Sequence, residues 1–182
     1  MSTLKSDAIT AVTNDTDITI TGAGSGVVKL GDGALKFPDS DGSAGQFIKT
    51  DGSAQLSFAE ATKQCIAIAC SDETTDLTTG TAKATFHMPY AFTLTGIKAG
   101  LTTAPTGSVA TFDVNEAGST ILTTKLTIDI GEKTSATAAT AAVIGGAGPA
   151  LAADALMTVD VDGIGSSTAG AGLKVYLIGY IT

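Results

Sequence analysis

The segment from Phe37 to Phe58, FPDSDGSAGQFIKTDGSAQLSF, constrains the fold more than any other part of this 182-residue chain. It holds two Asp-Gly pairs, Asp41-Gly42 and Asp51-Gly52, each followed by Ser-Ala. Asp-Gly favours tight turns, because glycine takes a positive φ at no steric cost. Beside these turns lie only short polar–apolar runs, Gln46–Thr50 and Gln55–Phe58. A hairpin of that length is marginal in water, so the segment predicts a structure completed by copies from other chains. The preceding residues repeat the theme. GAGSG leads into Val27–Leu30, and Gly31-Asp32-Gly33 leads into Ala34–Phe37. A turn plus a four-residue strand, recurring at intervals of about eight to ten residues, suits an intertwined trimeric β-stem over 22–64. Its candidate trimer contacts are Val28, Leu30, Leu35, Phe37, Phe47, Leu56 and Phe58. Phe58–Lys63, which gathers helix formers, is expected as a short helix or an irregular neck.

Composition agrees with β-structure and with oligomerisation. Threonine (30 residues) and glycine (22) dominate the polar and turn-forming positions. Thr, Val and Ile suit a pleated surface, and Gly punctuates turns. Tryptophan is absent and aromatics make up 5%. A core of small aliphatic side chains buries less area per residue, so association between chains is expected to supply the missing burial.

From Cys65 to Thr182 the chain reads as a run of strands, expected at 64–70, 81–88, 91–101, 108–114, 119–130 (bent or double), 141–144, 155–162 and 172–181. Regular spacing with turn signals between strands predicts a jelly-roll-like β-sandwich, or knob, over 65–182. Asn115–Gly118 is expected as a hairpin loop, and LKVYLIGYI as a central strand. Alternation in Thr111–Val114 and in Thr158–Asp162 implies one wet face. The Ala/Thr/Gly-rich stretch 133–155 is expected to be a long connection. Residues 1–21 contain no Gly or Pro, and Asp17–Thr21 (DITIT) alternates. They are expected to be an extended N-terminal attachment segment that orders on docking, with Leu4, Ile9, Val12, Ile18 and Ile20 as candidate attachment residues.

Two resemblances attach to these residues. The segment 37–58 resembles the P-x-x-D-G-x-x-G-Q-x-I-x-T-D-G-x-x-x-L-x-F element of fibre and spike proteins on tailed-phage virions, where it bridges a stem and a distal knob. The knob resembles C-terminal domains of marine and cyanobacterial phage structural proteins. The resembling residues are Asp76–Gly80, Phe86–Tyr90, Leu101–Gly107, Asp113–Glu116 and Ala169–Leu173. The resemblance implies a virion β-sandwich, synthesised in the host cytoplasm and displayed on the virion surface. It does not separate a head fibre from a tail fibre.

Charge and motifs narrow the chemistry. All ten basic residues are lysine, and the net charge is −8, which argues against nucleic acid and against an anionic membrane surface. The start, MSTLKSDAIT, lacks the apolar run of a secretory signal. No stretch approaches the roughly 20 apolar residues of a membrane span, so membrane insertion is not expected. Cys65 and Cys70 would lie about 16 Å apart on one strand, on opposite faces. That is too far for a disulfide, and buried free thiols are expected. GAGSG lacks the Gly-Lys-Ser/Thr of a phosphate-binding loop. Asp160-Val161-Asp162-Gly163 starts like a calcium loop, but Ala171 stands where the bidentate Glu belongs. His87 has no nucleophile motif beside it and reads as a strand-end or inter-subunit residue. Tyr90, Phe92, Tyr176 and Tyr180 are candidates to meet a glycan at a knob tip, although core or interface packing is favoured for Tyr176 and Tyr180. The expectation is no catalytic residue, no cofactor and no metal.

The sequence reading is therefore an all-β homotrimer with three parts: attachment segment 1–21, stem 22–64 and knob 65–182. Its expected role is a short head fibre or capsid decoration (cement) protein. The N-terminus would hold the major capsid protein or another virion protein. Two alternatives are a short tail fibre or fibre tip binding a host surface glycan, and, from another class, a carbohydrate-binding module. Length favours the first, because the stem of a 182-residue chain is too short for a long tail fibre.

Overall fold

A computed structural model describes residues 29–30, 35–38, 40–43, 46–145 and 149–182. The candidate attachment residues Leu4, Ile9, Val12, Ile18 and Ile20, and the stem residue Val28, lie outside them, as do the side chains of Leu30 and Leu35. The chain divides into two compact units, Met1–Ala61 and Thr62–Thr182. Among the described residues there is no helix, and all regular structure is strand.

The first unit contains two-stranded antiparallel sheets. β1 (Lys29–Leu30) pairs with β2 (Leu35–Lys36), with Leu30 opposite Leu35. β3 (Phe47–Thr50) pairs with β4 (Leu56–Ala59), which sets Ile48 opposite Phe58 and Thr50 opposite Leu56. The Asp51-Gly52 turn forms as its sequence demands. Gly52 has φ 81° and Ala54 φ 65°, while Asp51 Oδ1 accepts from the amides of Ser53 (2.7 Å) and Gln55 (3.1 Å). The other pair works differently. Asp41 Oδ1 accepts from the Gly42 amide at 2.8 Å, but Gly42 is not in the left-handed region. A Cβ added at Gly42 would meet the Phe58 ring at 2.6 Å, so this glycine permits an aromatic ring to approach rather than a turn to form. Of the two expectations for 58–63, the helix does not form: Phe58 and Ala59 end β4, and 60–63 is irregular, as the neck alternative has it.

The second unit holds β5 (Gln64–Ala69), β6 (Gly80–His87), β7 (Phe92–Gly100), β8 (Ala110–Glu116), β9 (Ser119–Thr120), β10 (Leu122–Thr124), β11 (Leu126–Ile128), β12 (Val143–Ile144), β13 (Ala150–Leu151), β14 (Leu156–Gly163) and β15 (Lys174–Ile181). One antiparallel sheet has the order β13-β7-β15-β5, and a second the order β11-β8-β14-β6 with β9 on β8. A small β10–β12 ladder stands apart from them. The final strand is central, flanked by β7 and β5. One apolar cluster joins the inner faces of both sheets. Leu94 and Ile97 of β7 and Val175 and Leu177 of β15 share it with Phe112 and Val114 of β8 and with Met157 and Val159 of β14. These strands alternate buried and less buried positions, as period-two side-chain placement requires.

Three features depart from the sequence expectation. The stretch 119–130 is three short strands, because the chain twists to send Ile121 and Leu122 inward. β13 lies inside the expected connection, where Leu151 packs into the core and Pro149 accepts from the Leu94 amide at 2.6 Å. The hairpin loop is only Ala117-Gly118, with φ 48° and 82°; Asn115 and Glu116 belong to β8 and pair with Thr120 and Ser119. Two positive φ values make a type I′ turn, whose twist matches that of the flanking strands.

Candidate functional site

In the first unit, two of the residues expected to meet other chains, Phe37 and Phe47, are exposed. Phe37 is 39% exposed and Phe47 45%, and Ile48, which the inward pattern does not include, is 49% exposed. Leu56 and Phe58 are half-buried. Phe58, Leu56 and Gln55 line a cavity of about 400 Å³ with Pro38 and the 40–43 loop. Gln46 holds that loop: its Oε1 accepts from the Ser43 amide at 2.8 Å, and its Nε2 donates to Glu60 at 2.7 Å.

In the second unit, the expected wet face is partly closed. Asp113 and Asn115 point away from the core yet are only 5% and 8% exposed. The reason is a polar network. Asp113 Oδ1 accepts from the Thr120 hydroxyl (2.6 Å) and the Val114 amide (2.8 Å). Lys125 Nζ lies 3.1 Å from Asp113 Oδ2 and 2.7 Å from Asp162 Oδ2. The hydrogen bond to Asp162 raises the Lys125 pKa above the ordinary lysine value; partial desolvation opposes it, and Asp113 adds to it. Asp160 accepts from the Ala82 amide (2.7 Å) and from Asn115 Nδ2 (3.0 Å). Asp160, half-buried, and Asp162, exposed, are thus each tied to a neighbouring group. Among the described residues no three His, Cys, Asp or Glu side chains gather into a metal-binding group.

The remaining candidates have ordinary roles. His87 ends β6, where its Nδ1 sits 3.0 Å from the Asp154 carbonyl and 3.2 Å from Asp154 Oδ1. Cys65 is exposed, Cys70 is buried, and both are free. Burial pushes the Cys70 thiol up to about 11. Asp72 is an exposed turn residue, held down at about 2 chiefly by the amides of Thr75 and Thr74. Phe92 is fully buried and so cannot present to a glycan. Tyr90 packs against it with ring centroids 6.3 Å apart. Tyr176 and Tyr180 share the outer face of β15 with Ile178, half-exposed. No protein-family model, curated protein or solved structure matches the chain.

Proposed function

We propose that this chain is a homotrimeric structural protein of a tailed-phage virion, a short head fibre or capsid decoration protein whose role is binding rather than catalysis. The observation that carries the reading is the strand order of the second unit. Taken in chain order, β5, β6, β7, β8, β11, β13, β14 and β15 are eight strands. The first, eighth, third and sixth lie side by side in one sheet, and the second, seventh, fourth and fifth in the other. We read this as jelly-roll connectivity, an architecture shared by viral capsid and lectin domains.

Fold alone does not fix function; the resemblance of 37–58 to the stem–knob bridge of phage fibres supplies the added weight. The trimer is supported by four-residue strands in two-stranded sheets and by the exposed Phe47 and Ile48. The binding role rests on the sequence, in which no nucleophile motif accompanies His87. The partners are two further copies and a capsid or other virion protein held by 1–21. The protein is made in the host cytoplasm and sits on the virion surface.

Gold-labelled antibody on purified virions tests the location. Label on heads is expected. Label confined to tails would replace this reading with that of a short tail fibre, and label on neither would overturn both. Deleting residues 1–16 is expected to leave a soluble trimer that no longer joins the virion.

A further inference from the structure

On the second unit, three of the ten lysines line one cleft. Lys98, Lys133 and Lys174 surround a cavity of about 430 Å³ with Tyr176, Thr102 and Thr134. That volume lies within the roughly 300–1,000 Å³ range of small-ligand pockets. The register explains the convergence. Tyr176 on β15 is directly opposite Lys98 on β7, and Lys174 is opposite Gly100. Thr134 bridges to Gly100 from the other side, and the Lys133 carbonyl accepts from the Leu101 amide at 2.9 Å, which seats the 133–134 segment along the end of β7. Two glycines, Gly100 and Gly172, belong to its lining. A Cβ on Gly100 would lie 3.6 Å from the Tyr176 ring, so this ring covers the glycine and flanks the cleft.

The charges are not balanced within the cleft. Lys174 is paired with Glu73 at 2.5 Å. Lys98 and Lys133 have no carboxylate partner among the described residues. The net charge of −8 would repel an anion at long range. At physiological salt, however, the Debye length is about 8 Å, so distant carboxylates are largely screened, and of the three lysines only Lys174 has a carboxylate, Glu73, within ion-pair distance. An anionic group entering the cleft would gain charge-assisted hydrogen bonds from these lysines. A phosphodiester polymer needs a basic stripe, which an acidic chain with one basic cleft does not offer. An aromatic ring and two glycines among point charges suit instead a compact ring that carries a carboxylate.

We propose that this cleft binds an acidic saccharide, its carboxylate placed between Lys98 and Lys133 and its ring against Tyr176. The proposal goes beyond the virion assignment and does not depend on head or tail location. Calorimetric titration of the full chain tests it, with trigalacturonate, a hyaluronan tetrasaccharide and 3′-sialyllactose as acidic probes, lactose as the neutral control and inorganic phosphate as the simple anion. At least one acidic saccharide is expected to bind, at least tenfold more tightly than lactose or phosphate and more weakly as salt rises. Lys98→Ala and Lys133→Ala are each expected to weaken binding about tenfold, and Tyr176→Ala by a similar factor. Tyr176→Phe should keep most of the affinity because it keeps the ring. Both lysines are exposed, so the melting temperature should stay within a degree or two. Failure of all three acidic probes to bind overturns the proposal. So does equal binding of lactose, or affinity that survives the Lys98→Ala/Lys133→Ala double variant. Phosphate binding as tight as that of the best saccharide would leave a simple anion site and overturn the saccharide assignment.

Discussion

The two compact units place their large apolar side chains in opposite ways. In Thr62–Thr182, Phe92, Phe112, Met88 and Leu177 are fully buried, and the exposed Val109, Ile130, Val143, Leu156 and Ile181 are scattered and aliphatic. In Met1–Ala61, Phe37, Phe47 and Ile48 are 39%, 45% and 49% exposed in a much shorter described stretch. The second unit has two sheets to close against one another, whereas the described residues of the first form two-stranded ladders. An eight-strand arrangement can bury a face within one chain; a four-residue hairpin cannot. On the reading proposed above, this difference would leave the second unit able to fold alone and the first in need of other chains.

The largest test of that contrast is to separate the units. A chain of residues 62–182 should fold and melt cooperatively while sedimenting as a smaller species than the trimer proposed for the full-length chain. A full-length chain that sediments as a stable monomer would break the comparison at its first half. A truncated chain without β-type circular dichroism would break it at the second. Next in size is a core truncation. Phe112 lies between the sheets with no exposed surface, and Phe112→Ala should cost about 3–5 kcal/mol. That corresponds to a fall in melting temperature on the order of 10 °C. Phe47→Ala should leave the melting of the second unit unchanged and weaken association instead. Equal thermal effects from the two substitutions would erase the distinction.

A smaller effect is expected from the Lys125 network. Lys125→Met leaves the Asp113 carboxylate, 5% exposed, without its cation, while the Thr120 and Val114 donors remain. The half-exposed lysine keeps the loss to about 1–2 kcal/mol. The pH dependence has a definite sign. The folded-state pKa of Lys125 is raised, so its contribution is fully present below the ordinary lysine value and is lost as pH rises through the raised one. Denaturant midpoints of wild type and Lys125→Met should differ by a constant amount from neutral pH to about pH 10 and converge above it. A gap that widens with alkali would contradict the ion pairing.

Much of the strand layout was legible because the alternation is local. The buried–exposed pattern of β14 and β15 can be read directly from MTVDV and KVYLIGY. β13 was not legible, because Ala150-Leu151 lies in an Ala/Gly-rich stretch and is held by pairing to β7, which is distant in sequence. Asp113 looked wet for the same kind of reason. Period two gives the face of a residue, not what folds over that face, and Thr120 and Lys125 return to cover it. Gly42 was legible as special but for the wrong cause, since the Phe58 ring that requires it arrives from the next hairpin. The lysine cleft left no motif at all. Lys98, Lys133 and Lys174 belong to separate segments that only the β7–β15 register and the Thr134 bridge bring together.

The smallest perturbation compares the two faces of a single strand. Cys65 lies on the outer face of β5 and is exposed; Cys70, just past its end, is buried with its thiol at about 11. At pH 8 only roughly one part in a thousand of Cys70 would be thiolate, the reactive form. A thiol-reactive dye at that pH should therefore label one cysteine quickly and the second only when the protein unfolds. Rapid labelling of both would mean that the core opens near Cys70, against the closed second unit. The rate at Cys65 carries further information. Its face also presents Ala67 and Ala69, with Ile178, Tyr176 and Lys174 opposite the three on β15. If Cys65 reacts at the same rate in the full-length trimer and in the 62–182 chain, that face stays open on assembly and the first unit alone holds the trimer together. If it is protected only at full length, the second unit also meets its neighbours, and the division of labour between a self-sufficient knob and a dependent stem must be redrawn.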